Sequence, residues 1–474
     1  MINKAIVWFR NDLRVHDNEA LTEALRMADE VIPIFVFDDR VFKSKTSFGF
    51  DKTGAQRTRF IIECIADLRN SLEALGTTLV VRTGITEDIL ADITSKLKAS
   101  WVFCNRERTQ EEVDVQDALE KKLWSQGVEM RYSRGKMLYF TSDLPFPITH
   151  TPDTFTSFRK EVEKYVPVRV PLPAPQQIQG FVADIIPGDI PSLSDFGHED
   201  FEYSEDYNFV GGESAALAQL DYYLWQSDNI ARYKKTRNEM LGWDFSSKLS
   251  AYLAQGCISP KTVYAEVKKY EKLRTKNDST YWLIFELLWR DYFRLIGKKY
   301  GNKIFIPQGI TEEETPQWST DRTLFNIWAQ ARTGVPMIDA NMRELNTTGF
   351  MSNRGRQNVA SFLVNDMKVH WLMGAEYFES LLIDYDPCSN YGNWNYIAGV
   401  GVDPRPDRWF NVVHQGKRYD SKGKYVHYWL PELGAIAGCK VHDVPLMSSD
   451  DLAEFDIVLG KDYPKAVLVN KRWG

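Results

Sequence analysis

A chain of 474 residues is longer than one ordinary hydrophobic core can organise, so its length implies two or three domains. Hydrophobic residues at 43% and charged residues at 26% exclude the disordered and fibrous classes, and a net charge of -7 excludes a protein basic all over while leaving room for a local basic cleft. No stretch approaches the ~18 continuous apolar residues of a membrane span, and five scattered cysteines with no Cys-x-x-Cys pair speak against a disulfide framework or zinc site and for a cytoplasmic protein.

The apolar run Ala5 to Phe9 is soon interrupted by Arg10, Asp12 and Arg14, so it reads as a first strand and not as a secretory signal. Val31 to Phe37, Thr78 to Val81, Trp101 to Cys104 and Val128 to Tyr132 predict further strands. Between them Gln56 to Leu75 carries Phe60, Ile61, Cys64, Ile65, Leu68, Leu72 and Leu75 at helical spacing. The pattern predicts an α/β domain over residues 1–135, a parallel five-stranded sheet covered by helices on both faces. No Gly-x-Gly-x-x-Gly follows the first strand, so the usual dinucleotide fingerprint is missing.

Nine of the 20 prolines lie between Pro145 and Pro191, followed by the acidic residues Asp195, Glu199, Asp200, Glu202, Glu205 and Asp206. Residues 136–212 are expected to form a proline-rich connector over the surface, neither helix nor central strand. From 213 to 474 the periodicity is helical and rich in aromatics, predicting an all-helical second domain. The concentration of Trp there suits either a large core or a planar-ligand site.

Four segments carry polar chemistry. Ser246, Ser247 and Ser250 surround Lys248 just before a helical pattern, which suits a pyrophosphate, although a plain serine cap with a solvated lysine accounts for the segment taken alone. Trp282, Glu286, Trp289, Arg290 and Phe293 share one helical face, either as the wall of a planar-ligand pocket or as a Glu-Arg pair beside a buried stripe. Ser352 to Val364 and Asp384 to Tyr396 are dense in Asn, Asp and Arg. The second reads as an Asx-stabilised turn, or as a source of partners for an isoalloxazine edge from Asp386 and Asn390.

These segments, with Trp8-Phe-Arg-Asn-Asp-Leu-Arg-Val-His-Asp-Asn18, Gly334-Val-Pro-Met-Ile-Asp-Ala-Asn-Met-Arg-Glu-Leu345 and Tyr428-Trp-Leu-Pro-Glu-Leu433, resemble the photolyase and cryptochrome family in order and spacing over nearly the whole chain. The resemblance implies that residues 1–135 form an antenna domain and residues 213–474 an FAD and lesion domain. It implies that Tyr233, Ser246, Ser247, Lys248, Leu249 and Ser250 hold the phosphate and ribityl part of FAD. Arg290, Asn353 and Arg356 would line the isoalloxazine, Asp384 would pair with Arg356, Asp386 would meet the flavin edge, and Asn390 would sit beside N5. Glu286 and Trp289 would face the lesion. Trp394, Trp371 and Trp318 match the family's electron-carrying tryptophan chain.

The departures are informative. Ala251 stands where many members have Pro, and Gln357 and Tyr396 replace the Met and Trp of ordinary dimer photolyases, a combination that resembles the DASH branch. Asn353 and Gln357 stand where (6-4) photolyases carry a His pair, which speaks against that chemistry. The implied activity is blue-light repair of cyclobutane pyrimidine dimers, preferentially in single-stranded DNA, by a monomer. The implied antenna is methenyltetrahydrofolate, with Glu111 and Glu112 as its contact, although both residues also suit a helix's first turn. The alternative is a photoreceptor signalling through flavin photoreduction, disfavoured by the short stretch after Leu433. A nicotinamide-dependent flavin oxidoreductase would need a second nucleotide motif, which the sequence lacks.

Overall fold

The computed structural model describes residues 2–180, 185–202, 209–312, 314, 316–402 and 408–473. Strands β1 (Lys4–Phe9), β2 (Glu30–Asp38), β3 (Val80–Gly84), β4 (Trp101–Asn105) and β5 (Glu129–Ser133) form one parallel sheet in the order β3-β2-β1-β4-β5. Strands buried on both faces read as continuous apolar runs, which is why β1, β2 and β4 were legible; the edge strands β3 and β5 are only partly buried. Alternate residues of β1 serve two cores. Ile6 and Trp8 pack with Leu90, Ile93, Leu119 and Leu123 under helices Thr86–Leu97 and Gln110–Ser125. Ala5, Val7 and Phe9 pack toward helix Ala55–Ala74, in a core that continues into Tyr252, Leu287 and Tyr292 of the helical part.

The sheet and the helical part therefore share buried apolar surface, and the opening motif ties them together. Arg14 Nη1 donates to Gly256 O at 2.8 Å and its Nη2 to Gly135 O at 3.2 Å, while Glu213 accepts the N–H groups of Val15 at 2.8 Å and His16 at 3.0 Å. Asp291 accepts Leu138 N at 3.1 Å and Tyr139 N at 2.9 Å.

The expectation that the proline-rich stretch is without helix is corrected: Phe155–Tyr165 is a helix, capped by Thr154, whose Oγ1 accepts Ser157 N at 3.3 Å. Pro152 and Pro167 bracket this segment without interrupting it, and Phe155, Phe158 and Val162 supply a buried stripe. In the acidic run, Asp195 accepts Ser192 N in a capping box, whereas Glu205 and Asp206 lie outside the described residues. No helix among the described residues is long and apolar enough to cross a membrane.

Candidate flavin and lesion site

The serine-rich segment is a loop entering the short helix Ser250–Gln255. Lys248 adopts a left-handed backbone (φ +56°), uncommon for a residue with a side chain, and its side chain is buried. Its Nζ lies 3.4 Å from the Phe245 ring centroid and 4.7 Å from that of Phe350, and among the described residues it has no hydrogen-bond partner. Burial pushes its pKa down to about 7, against the opposing pull of Glu344 and Asp244. Ser247 and Leu249 are buried, Ser246 is half-buried and Ser250 is exposed; Ser247 O accepts Gln219 Nε2 at 3.0 Å. Tyr233 is buried edge-on against Tyr223, beside Glu286 and Arg237.

A second group gathers around two helix starts. Asn353 is exposed at the first position of helix Asn353–Ser361. One turn on, Arg356 donates from Nε to Met351 O at 2.9 Å and from Nη2 to Asp384 Oδ2 at 2.8 Å, the pair that the resemblance implies. Asp384 Oδ1 and Gln357 Oε1 are buried and have no hydrogen-bond partner among the described residues. Asp386 caps helix Pro387–Ala398, accepting Ser389 N at 2.9 Å, and its other oxygen accepts Arg294 Nη1 at 2.8 Å. Burial would raise this carboxyl, but Arg294, with Arg290 and Lys136, outweighs it and holds it at about 2. Asn390, one turn along, is fixed by its Nδ2 donating to Ala375 O at 3.0 Å. Arg290 turns to the backbone, donating to Lys136 O at 2.6 Å and Leu253 O at 3.0 Å. The cation on Asp386 is thus Arg294, one turn beyond Arg290, which the sequence reading did not single out.

Among the residues expected to face the lesion, Glu286 lies 2.6 Å from Arg237 Nη2, another residue the sequence reading missed, and burial raises its pKa while Arg237 opposes. Trp289 is stacked on Phe155, centroids 3.7 Å apart and planes at 7°, so one face of the indole is covered by the connector helix. Tyr396 meets Trp289 edge-on at 6.0 Å and Phe293 at 5.7 Å. The three tryptophans are graded in burial: Trp394 and Trp371 are buried and Trp318 is half-exposed. Trp394 lies so close to Gly374, on the helix Trp371–Leu381, that a Cβ there would come within 2.3 Å of its ring. His370 stands between the other two rings, 6.3 Å from Trp371 and 5.5 Å from Trp318.

Residues 5–176 match the model described as DNA photolyase, and residues 282–472 match the FAD binding domain of DNA photolyase. The cryptochrome DASH of Gloeobacter violaceus is 48% identical over 98% of this chain and 92% of its own length. The solved cryptochrome of Synechocystis sp. superposes with a TM-score of 0.95 at 45% identity, covering 99% of this chain and 97% of that one. The chain belongs to the cryptochrome DASH branch of the photolyase family. A bacterial class III photolyase from Agrobacterium tumefaciens shares the fold at a TM-score of 0.85 and 29% identity, over 100% of this chain and 96% of its own.

The residues of this cryptochrome DASH relative fit FAD. Two orphaned buried polar atoms, Lys248 Nζ and Asp384 Oδ1, call for polar partners that they do not find among the described residues, and buried groups rarely stay unpaired without reason. A pyrophosphate beside Lys248 would favour its charged form, so cofactor uptake above pH 7 should take up a proton. FAD affinity of the apoprotein is expected to fall above about pH 7, by up to about tenfold per pH unit, the limit for one coupled proton. Flavin-fluorescence titrations from pH 6 to 9 check this, with Lys248→Met expected to lose the dependence. A wild-type affinity flat across that range would remove Lys248 from the phosphate end.

The pair expected at the antenna is occupied within the protein. Glu112 closes a capping box with Thr109, accepting its Oγ1 at 2.6 Å, and Glu111 pairs with Lys52. Both therefore do what the first turn of a helix asks of them.

Proposed function

We propose that this photolyase-family protein repairs cyclobutane pyrimidine dimers under blue light, with a strong preference for single-stranded DNA, acting as a monomer. The observation that carries the reading is the lesion side: Glu286, Trp289, Gln357 and Tyr396, with a tyrosine and an amide where ordinary dimer photolyases have an indole and a thioether. Bound FAD, once reduced and excited by light, would lend an electron that opens the cyclobutane ring and then returns to the flavin. The protein's part is placement and electrostatics. Glu286, half-buried and paired with Arg237, can hydrogen-bond a flipped base edge. Trp289 is held rigid by Phe155.

Extracting a dimer from a duplex costs a few kcal/mol of unstacking and unpairing, and less from a single strand. Tyr396 offers less apolar area than an indole, Gln357 makes part of the pocket polar, and one face of Trp289 is already covered, so contacts to offset that cost are fewer. Repair rates on single-stranded and duplex dimer oligonucleotides, under saturating blue light at fixed salt, are expected to differ by at least about tenfold, equivalent to ~1.4 kcal/mol. Equal rates would return the chain to the ordinary photolyases, and no repair of either substrate would favour the photoreceptor alternative. Binding to both should weaken as salt rises, because phosphates supply much of the attraction.

A methenyltetrahydrofolate antenna belongs to the same reading. Glu112 Oε1, held at 3.4 Å by Asn11 Nδ2, is the acceptor left for a pterin. Extraction of the purified protein yielding flavin with no folate would count against it.

A further inference from the structure

Four buried charges cross from the sheet to the helical part in an unbroken line. Lys136 Nζ lies 2.5 Å from Glu107 Oε1, Glu107 Oε2 lies 3.2 Å from Arg294 Nη2, and Arg294 Nη1 lies 2.8 Å from Asp386 Oδ2. None of the four side chains is more than 6% exposed. Glu107 stands just past β4, at the point where the strand order reverses between β1 and β4, and its N–H donates to Gln116 Oε1 at 2.8 Å. Asp386 starts the helix that carries Asn390 and Trp394.

A guanidinium is a rigid fork, so fixing one end fixes the direction of the other. Glu107 takes one end of Arg294 and Asp386 the other. Without Glu107, Arg294 could turn both nitrogens onto Asp386 and reorient it. The line would also change from two cations against two carboxylates to two cations against one. Burial makes that excess costly, because little water is present to screen it. Arg290 faces Asp386, while Glu112 and Arg10 face Lys136 and Glu107 respectively from the α/β side.

We propose that Glu107 is a positioning residue of the flavin site: by holding Arg294 from the sheet side it fixes that guanidinium on Asp386 and sets the charge at the flavin edge. The α/β domain thereby contributes to the electrostatics of a cofactor held by the helical domain. This rests on the reading that Asp386 borders the flavin.

The test is spectroelectrochemical titration of FAD in the holoprotein, at one fixed pH for all variants. Glu107→Gln leaves one extra positive charge near a cofactor whose reduced form is anionic. The oxidised–reduced equilibrium should move about tenfold toward the reduced form, ~30 mV for two electrons. Lys136→Met removes a cation and should shift it the opposite way, which keeps the test available if either single variant fails to fold. The double variant Glu107→Gln/Lys136→Met restores the balance and should return to the wild-type potential. If Asp386→Asn moves the potential and Glu107→Gln only lowers thermal stability, the role proposed for Glu107 is overturned. If neither variant moves it, the reading that Asp386 borders the flavin falls instead.

Discussion

Replacing Trp371 by phenylalanine is expected to leave the chain folded and FAD bound but to slow light-driven flavin reduction by far more than tenfold. Trp371 is fully buried, its Nε1 donates to Pro307 O at 3.1 Å, and it lies on the helix against which the Trp394 ring packs at Gly374. On the other side His370 separates it from the half-exposed Trp318. A phenyl ring fills much of the indole's volume, so the loss of packing should stay within the range of ordinary core truncations, about 1–3 kcal/mol. Phenylalanine cannot be oxidised at the potentials an indole reaches, so the middle step of the relay that the resemblance implies should disappear. Trp328→Phe is the control. Trp328 is as deeply buried and its ring lies 6.5 Å from that of Trp394, yet it does not lead to Trp318. The decay of oxidised-flavin absorbance under blue light with external reductant reads both variants. Undiminished reduction in Trp371→Phe, or equal loss in both, would reduce the three tryptophans to packing residues.

Arg294→Met should destabilise the protein by about 3–5 kcal/mol at neutral pH, because it removes one directly bonded cation from each of two buried carboxylates and leaves only Lys136 and Arg290 to balance them. Burial alone would raise both acids. Lys136 and Arg294 instead hold Glu107 at about 2, and Arg294 with Arg290 holds Asp386 at about 2. Both folded-state values lie below the ordinary 4.5 and 3.8, so the stabilisation is fully present above about pH 4.5 and is lost as pH falls toward 2. The gap between wild type and variant in urea midpoint should therefore be widest near pH 7 and should narrow on acidification. In Arg294→Met the freed carboxyls should titrate well above their present values. A variant with an unchanged midpoint at pH 7 would show that the ion pairs contribute nothing net.

The parts of the molecule that the sequence made legible are those whose physics is local. Buried parallel strands announce themselves as apolar runs, and the helix Ala55–Ala74 by its three-and-four spacing, so the helix and four of the strands were placed within one residue, while β3 ends three residues beyond its expected end. Family motifs in register identified the candidate flavin residues and the Arg356–Asp384 pair, because those contacts are carried by fixed spacings along the chain. The helix Phe155–Tyr165 was missed because proline density was counted over the whole stretch, when the prolines only bracket a segment free of them. Phe155 on Trp289, Arg237 on Glu286 and Glu107 on Arg294 join residues far apart in the chain, the last pair separated by 187 positions. No periodicity encodes such pairs. The sequence by itself determined the strands, the helical second half and the cofactor family. Only the tertiary structure decided which cation meets Asp386 and which face of Trp289 is covered, because buried charges and rings take the partners that packing brings within a few ångströms, whatever their distance along the chain.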